Sequence, residues 1–138
     1  MRRSEKYPET KWFHLHNENP KNRYTDDCYV RSIATATEVN YHTVLNNLVD
    51  VSIRTGYSVN SKQCIATLLK ECGYEINKQI KTSEGKKLTG KQFCETHTSG
   101  RYIIFIGGHH ITAVINGKIW DTWDCTDKCV GNFWKISD

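Results

Sequence analysis

No stretch of the chain approaches the ~20 consecutive apolar residues that a membrane-spanning helix needs. Proline is scarce, at 2 in 138 residues, and there are no internal repeats or low-complexity tracts, which excludes collagen-like and solenoid architectures. A dominant charge of one sign is also missing: 19 Lys and Arg stand against 15 Asp and Glu, for a formal net charge of +4. The basic residues gather near the start (Arg2, Arg3, Lys6, Lys11, Lys21, Arg23, Arg31) and again at Lys78, Lys81, Lys86, Lys87 and Lys91. Neither group is a continuous run with interleaved aromatics, so a nucleic-acid partner is disfavoured. Met1-Arg2-Arg3-Ser4-Glu5-Lys6 has no hydrophobic region behind it and does not read as a secretory signal. A cytoplasmic location is expected, with no membrane partner.

What the chain does have is cysteine: 6 residues, at positions 28, 64, 72, 94, 125 and 129. A reducing compartment argues for free thiols or a metal rather than disulfides. Cys64 and Cys72 fall in a helical segment and read as ordinary packing residues. A length of 138 residues suits one domain with one core. Residues 1–16 are expected to be an N-terminal extension, polar and loosely held through residue 11 with Trp12-Phe13-His14-Leu15 as a short strand or anchoring segment, and 17–138 form the domain.

Turn chemistry at Asn19-Pro20 and Lys21-Asn22-Arg23 leads into a helix starting near Asp26 or Asp27 and running to about Thr37. Asn40 caps a second helix, Asn60 or Ser61 a third, and Thr89 a short fourth from Gly90 to Thr96. Tyr74 to Ile80 is expected as an edge strand. From Gly100 the pattern turns to strands: Arg101 to Ile106, His109 to Ile115, Lys118 to Trp123 and Asn132 to Ile136. Helices followed by antiparallel strands predict an α+β domain.

Cys28 sits where polar turn residues give way to the first helix. A thiol in the first turn of a helix meets aligned backbone N–H groups that favour the thiolate. Gly107-Gly108-His109-His110-Ile111-Thr112-Ala113-Val114 and Ile119-Trp120-Asp121-Thr122-Trp123-Asp124 read as two strands of a hairpin, one carrying histidine and the other aspartate. Cysteine, histidine and an orienting carboxylate are the parts of a thiol-dependent acyl-transfer site.

With these residues in this order, the chain resembles the papain-like cysteine peptidases. It is close in pattern to small peptidase-like proteins encoded by bacteriophages, and more distantly similar to the peptidases that process bacteriocin leaders. Asp26-Asp27-Cys28-Tyr29-Val30-Arg31-Ser32-Ile33-Ala34 resembles the family's loop, cysteine and helix. His109-His110-Ile111-Thr112-Ala113-Val114 resembles its histidine strand, and Asp121-Thr122-Trp123 its carboxylate element, with Trp123 shielding the histidine–carboxylate bond. The resemblance covers about residues 17–136. It implies a Cys-bearing helix packed on a C-terminal antiparallel sheet, a protein or peptide substrate, no cofactor, no metal, and a phage or mobile-element setting.

The roles it implies are Cys28 as nucleophile, His109 as base and Asp121 as orienter. The family also has a polar amide six residues before the cysteine for the oxyanion; here that position is Asn22, where the family usually has Gln, and Asn19 is a rival.

Strand parity complicates the assignment. A two-residue type I′ turn at Asn116-Gly117 sets Thr112 opposite Asp121 and His109 opposite Asp124, so His109 and Asp121 fall on opposite faces. A β-bulge near Thr112 or Trp120, His110 as the base, or Asp124 as the orienter would each resolve it. Cys125-Thr126-Asp127-Lys128-Cys129 is a rival constellation, able to offer two zinc ligands with His109, His110 or Cys94 completing the set. The remaining alternative is a catalytically inactive papain-like module that binds a host protein.

Overall fold

The structure, a computed structural model, describes all residues 1–138. The elements in order are α1 (Arg3–Lys6), β1 (Phe13–Leu15), α2 (Cys28–Thr37), α3 (Tyr41–Thr55), α4 (Lys62–Glu71), β2 (Ile76–Asn77), α5 (Gly90–Thr96), β3 (Arg101–Ile106), β4 (His110–Ile115), β5 (Lys118–Asp121) and β6 (Val130–Ser137). The fold is α+β, with a six-stranded sheet in the order β1-β5-β4-β3-β6-β2.

Cap chemistry sets the helix starts. Asn40 accepts from His42 N and Thr43 N, Ser61 accepts from Cys64 N, and Thr89 with Gln92 forms a capping box. Asp27 precedes α2 but makes no side-chain cap; its carboxylate is drawn elsewhere, as described below.

The sheet separates two apolar layers. On one face α2, α3 and α4 pack against Ile103, Ile111, Ala113 and Trp134, with Val30, Ile33, Leu48 and Ile65 filling the space between. On the other, α5 contributes Phe93 and Cys94 against Ile104, Ile106, Val114, Ile119 and Phe133. α2 is the central helix, buried from Val30 through Ala36. α5 lies close enough that a Cβ on Gly90 would come within 2.9 Å of Ile106 Cδ1 and 3.0 Å of Ile119 Cδ1.

Three expectations are corrected. The sheet is mixed rather than antiparallel, because β1 runs parallel to β5 with Phe13 opposite Ile119. Residues 1–16, expected as an N-terminal extension, are tied to the rest of the chain: Phe13 is fully buried and Arg3 donates to the Thr122 carbonyl. The weak alternation of Trp12-Phe13-His14-Leu15 does read as a short strand or anchoring segment, and one buried aromatic suffices to seat it at the sheet edge. The edge strand expected over Tyr74 to Ile80 pairs with β6 only at Ile76 and Asn77.

The β4–β5 hairpin has Asn116 at φ 48° and Gly117 at φ 76°, both positive as a type I′ turn requires. Its register is regular, with Ile115 facing Lys118, Val114 facing Ile119 and Ala113 facing Trp120. One further step sets Thr112 opposite Asp121 without a bulge.

Candidate active site

That regular register decides which histidine reaches the carboxylate. His110 has the parity of Thr112, so it shares a face with Asp121 and lies diagonally across the hairpin from it. His110 Nε2 and Asp121 Oδ2 are 2.6 Å apart. His109, the expected base, is instead exposed in the turn between β3 and β4, on the opposite parity and outside this bond. Asp124, the other expected orienter, accepts from Thr126 N at 3.0 Å and Thr126 Oγ1 at 2.6 Å, which uses it in a local turn. Trp123 lies against His110 with ring centroids 4.9 Å apart.

Asp121 is 2 % exposed and is held from several sides. Its Oδ1 accepts from Arg31 Nη1 at 2.9 Å and from Thr122 N at 2.6 Å. Arg31 in turn donates through Nε to Asp27 Oδ1 at 2.6 Å. Asp27 Oδ2 accepts from Asn19 Nδ2 at 2.9 Å and Tyr41 Oη at 2.8 Å. A buried chain of alternating charge thus runs from the loop before α2, through Arg31, to Asp121 and His110.

These contacts set the charge states. Burial disfavours the imidazolium, but the Asp121 bond, with the Cys125 and Cys28 side chains nearby, outweighs it and pushes His110 up to about 11 from its ordinary 6.5. Burial acts to raise the Asp121 carboxyl, yet the His110 bond and charge, with Arg31, hold it below its ordinary 3.8. His110 therefore carries a proton at neutral pH beside an ionised Asp121.

Cys28 opens α2 and is partly exposed in a cavity of about 470 Å³ whose wall also includes His110, His109, Tyr24, Asn60 and Trp123. Because Asp27 turns its carboxylate to Arg31, Asn19 and Tyr41, α2 has no side-chain cap for its first-turn amides; Val30 N reaches the Asp27 carbonyl, but the Cys28 N–H makes no backbone hydrogen bond. α3, α4 and α5 all have theirs capped. The uncapped amide lies beside the thiol.

Neither expected amide reaches this cavity. Asn22 is exposed, adopts φ 54° and accepts only from Asn17 Nδ2, at 3.4 Å. Asn19 is spent on the loop: its Oδ1 accepts from Lys21 N at 2.9 Å, and its Nδ2 holds Asp27. Both lie on a separate surface depression with Pro20 and His42. The physical reason is the tight turn through residues 19–23, closed by Asn22 N donating to the Asn19 carbonyl at 2.9 Å, which carries position 22 away from the cysteine.

The rival metal constellation is rearranged. Cys129 is exposed and Cys94 is buried, while ligand atoms of His110, Asp121 and Cys125 lie within 4.8 Å of one another. This trio suits a cation poorly. Both oxygens of Asp121 are already taken, Oδ1 by the Arg31 guanidinium and Oδ2 by His110. Cys125 instead closes the inner side of the imidazole.

One participant escapes sequence reasoning, and another is read in a different role. Arg31 reads there as one more surface cation, although its i,i+4 spacing from Asp27 on α2 was a visible signal of the pair. Cys125 reads there as a zinc ligand paired with Cys129, whereas the fold of residues 122–129 brings it to His110 and Asp121 and leaves Cys129 exposed.

No helix is long and apolar enough to cross a membrane. Comparison with family models, curated proteins and solved structures found no match to this chain.

Proposed function

We propose that the chain is a papain-like thiol hydrolase that cleaves a peptide or isopeptide bond, with Cys28 as nucleophile, His110 as acid and base, and Asp121 as orienter. The observation that carries this reading is His110 held by Asp121 at 2.6 Å while lining the same cavity as Cys28 at the uncapped start of α2. His110 replaces the His109 of the family pattern, and the backbone N–H of Cys28 serves the oxyanion without help from Asn22.

Asp121 takes Nε2, so Nδ1 is the nitrogen left to exchange a proton with a thiol. Cys28 Sγ, as thiolate, attacks the substrate carbonyl carbon, and the charge moves to the carbonyl oxygen, which the Cys28 N–H stabilises. The C–N bond then breaks. The departing amine takes the proton from His110, and Cys28 retains the acyl group as a thioester. Water, deprotonated by the now neutral His110, attacks the thioester and releases the carboxylic acid and the thiolate. Throughout, Asp121 fixes the ring, and Trp123 limits solvent at its flank.

The test is to incubate wild-type protein and Cys28→Ser with a complex peptide mixture and identify new termini by mass spectrometry. New termini from the wild type alone are expected. An identical digest from both proteins would contradict the assignment.

A further inference from the structure

Beside the cavity of Cys28 lies a second one of about 650 Å³, and Asn60, Phe105 and His109 line both. Each volume falls in the ~300–1,000 Å³ range of ligand sites. The second cavity has no acidic residue in its wall, while Lys62 and Lys87 are both part of it. Their charges are unspent. Lys62 Nζ donates to the neutral Asn132 Oδ1 at 2.7 Å and lies 5.0 Å from the Phe105 ring centroid, and neither contact supplies a negative charge. Neighbouring lysines do find carboxylates, Lys86 at Glu84 and Lys128 at Asp127.

The placement of Lys62 runs against local electrostatics. It is the first residue of α4, where the helix dipole favours an anion and disfavours a cation. A lysine at the positive end of a helix, without a carboxylate partner and facing a cleft, is stabilised best by an anion that arrives from outside.

We infer that this second cavity is the specificity site of the same cleft and binds an acidic side chain of the polypeptide substrate, a few residues to one side of the bond presented to Cys28. The inference rests on the hydrolase reading for what Cys28 does, but not for what the lysines bind. Lys62 and Lys87 meet the carboxylate, and Phe105 and His109 form the passage between the two cavities.

The test uses fluorescein-labelled decapeptides of alternating Gly and Glu, Gly and Gln, and Gly and Lys. Their binding to the full chain carrying Cys28→Ala is followed by fluorescence anisotropy. The Glu peptide is expected to bind about tenfold tighter than the Gln peptide, and to weaken as salt is raised. Lys62→Glu with Lys87→Glu should abolish that preference, whereas Lys70→Glu, on the far part of α4, should keep it. Lys62→Glu suits the start of a helix, so folding is not at risk. Equal binding of all three peptides, or tighter binding of a single-stranded oligonucleotide than of the Glu peptide, would overturn the inference. Capture of the Glu peptide together with an identical complex-mixture digest from wild type and Cys28→Ser would instead remove the hydrolase reading and leave the acidic preference standing.

Discussion

His110 Nε2 stands 2.6 Å from Asp121 Oδ2, on the hairpin face that His109 cannot reach. The bond has a pH signature. His110 is pushed up to about 11 from 6.5, so its contribution to stability is complete below about pH 6.5 and is lost as pH rises toward 11. Asp121 is shifted downward, so its contribution is present above 3.8 and is lost as pH falls through its lowered value. The imidazole Cε1–H resonance of His110 should therefore not titrate between about pH 5 and 9, and Asp121→Asn should bring a midpoint back into that window. A His110 midpoint near 6.5 in the wild type would contradict the pairing.

Arg31 is the only cation between Asp27 and Asp121, and all three are buried. Arg31→Ala should lower unfolding stability by about 3–5 kcal/mol, since it leaves the buried Asp27 carboxylate with no cation and Asp121 with His110 alone. Urea unfolding at neutral pH measures it. A loss under ~1 kcal/mol, typical of exposed pairs, would mean the chain of charges is solvated.

Gly90→Ala tests the packing of α5. The added methyl would meet Ile106 Cδ1 at 2.9 Å and the Thr126 backbone at 3.0 Å. A cost of about 1–3 kcal/mol is expected. Thr89→Ala, which removes only the cap of the same helix, should cost about 1 kcal/mol.

Zinc provides a fourth test, because His110, Asp121 and Cys125 cluster within 4.8 Å. With Arg31 on Asp121 Oδ1 and His110 on Oδ2, added zinc should leave the thermal midpoint unchanged. A site filled at a hundredfold excess over its dissociation constant would add about 2.7 kcal/mol, which is readily seen.

Much of this site was legible in the sequence because its signals are local. The cysteine at the start of α2, the caps at Asn40 and Thr89, and the Asn116-Gly117 turn all follow from short-range chemistry. Strand parity already separated His109 from Asp121, and the regular register takes one of the resolutions that parity allowed, His110. Illegible were the contacts made across the fold: β1 completing the sheet beside β5, Arg31 joining α2 to the end of β5, and Cys125 returning to the imidazole. Family spacing placed an amide at Asn22, but a tight turn moved it away. Linear distance to a cysteine does not encode such a turn.

The most direct measurement is the rate of iodoacetamide alkylation at each of the six cysteines, read by peptide mass spectrometry near neutral pH. Burial holds Cys94 up to about 12 and Cys125 up to about 11, and raises Cys64, so these should react slowly. Cys72 and Cys129 are exposed and serve as references. Cys28 should be alkylated about tenfold or more faster than either, with the advantage lost in His110→Ala and kept in His109→Ala. Equal rates at Cys28, Cys72 and Cys129, or loss of the advantage in His109→Ala alone, would contradict the account.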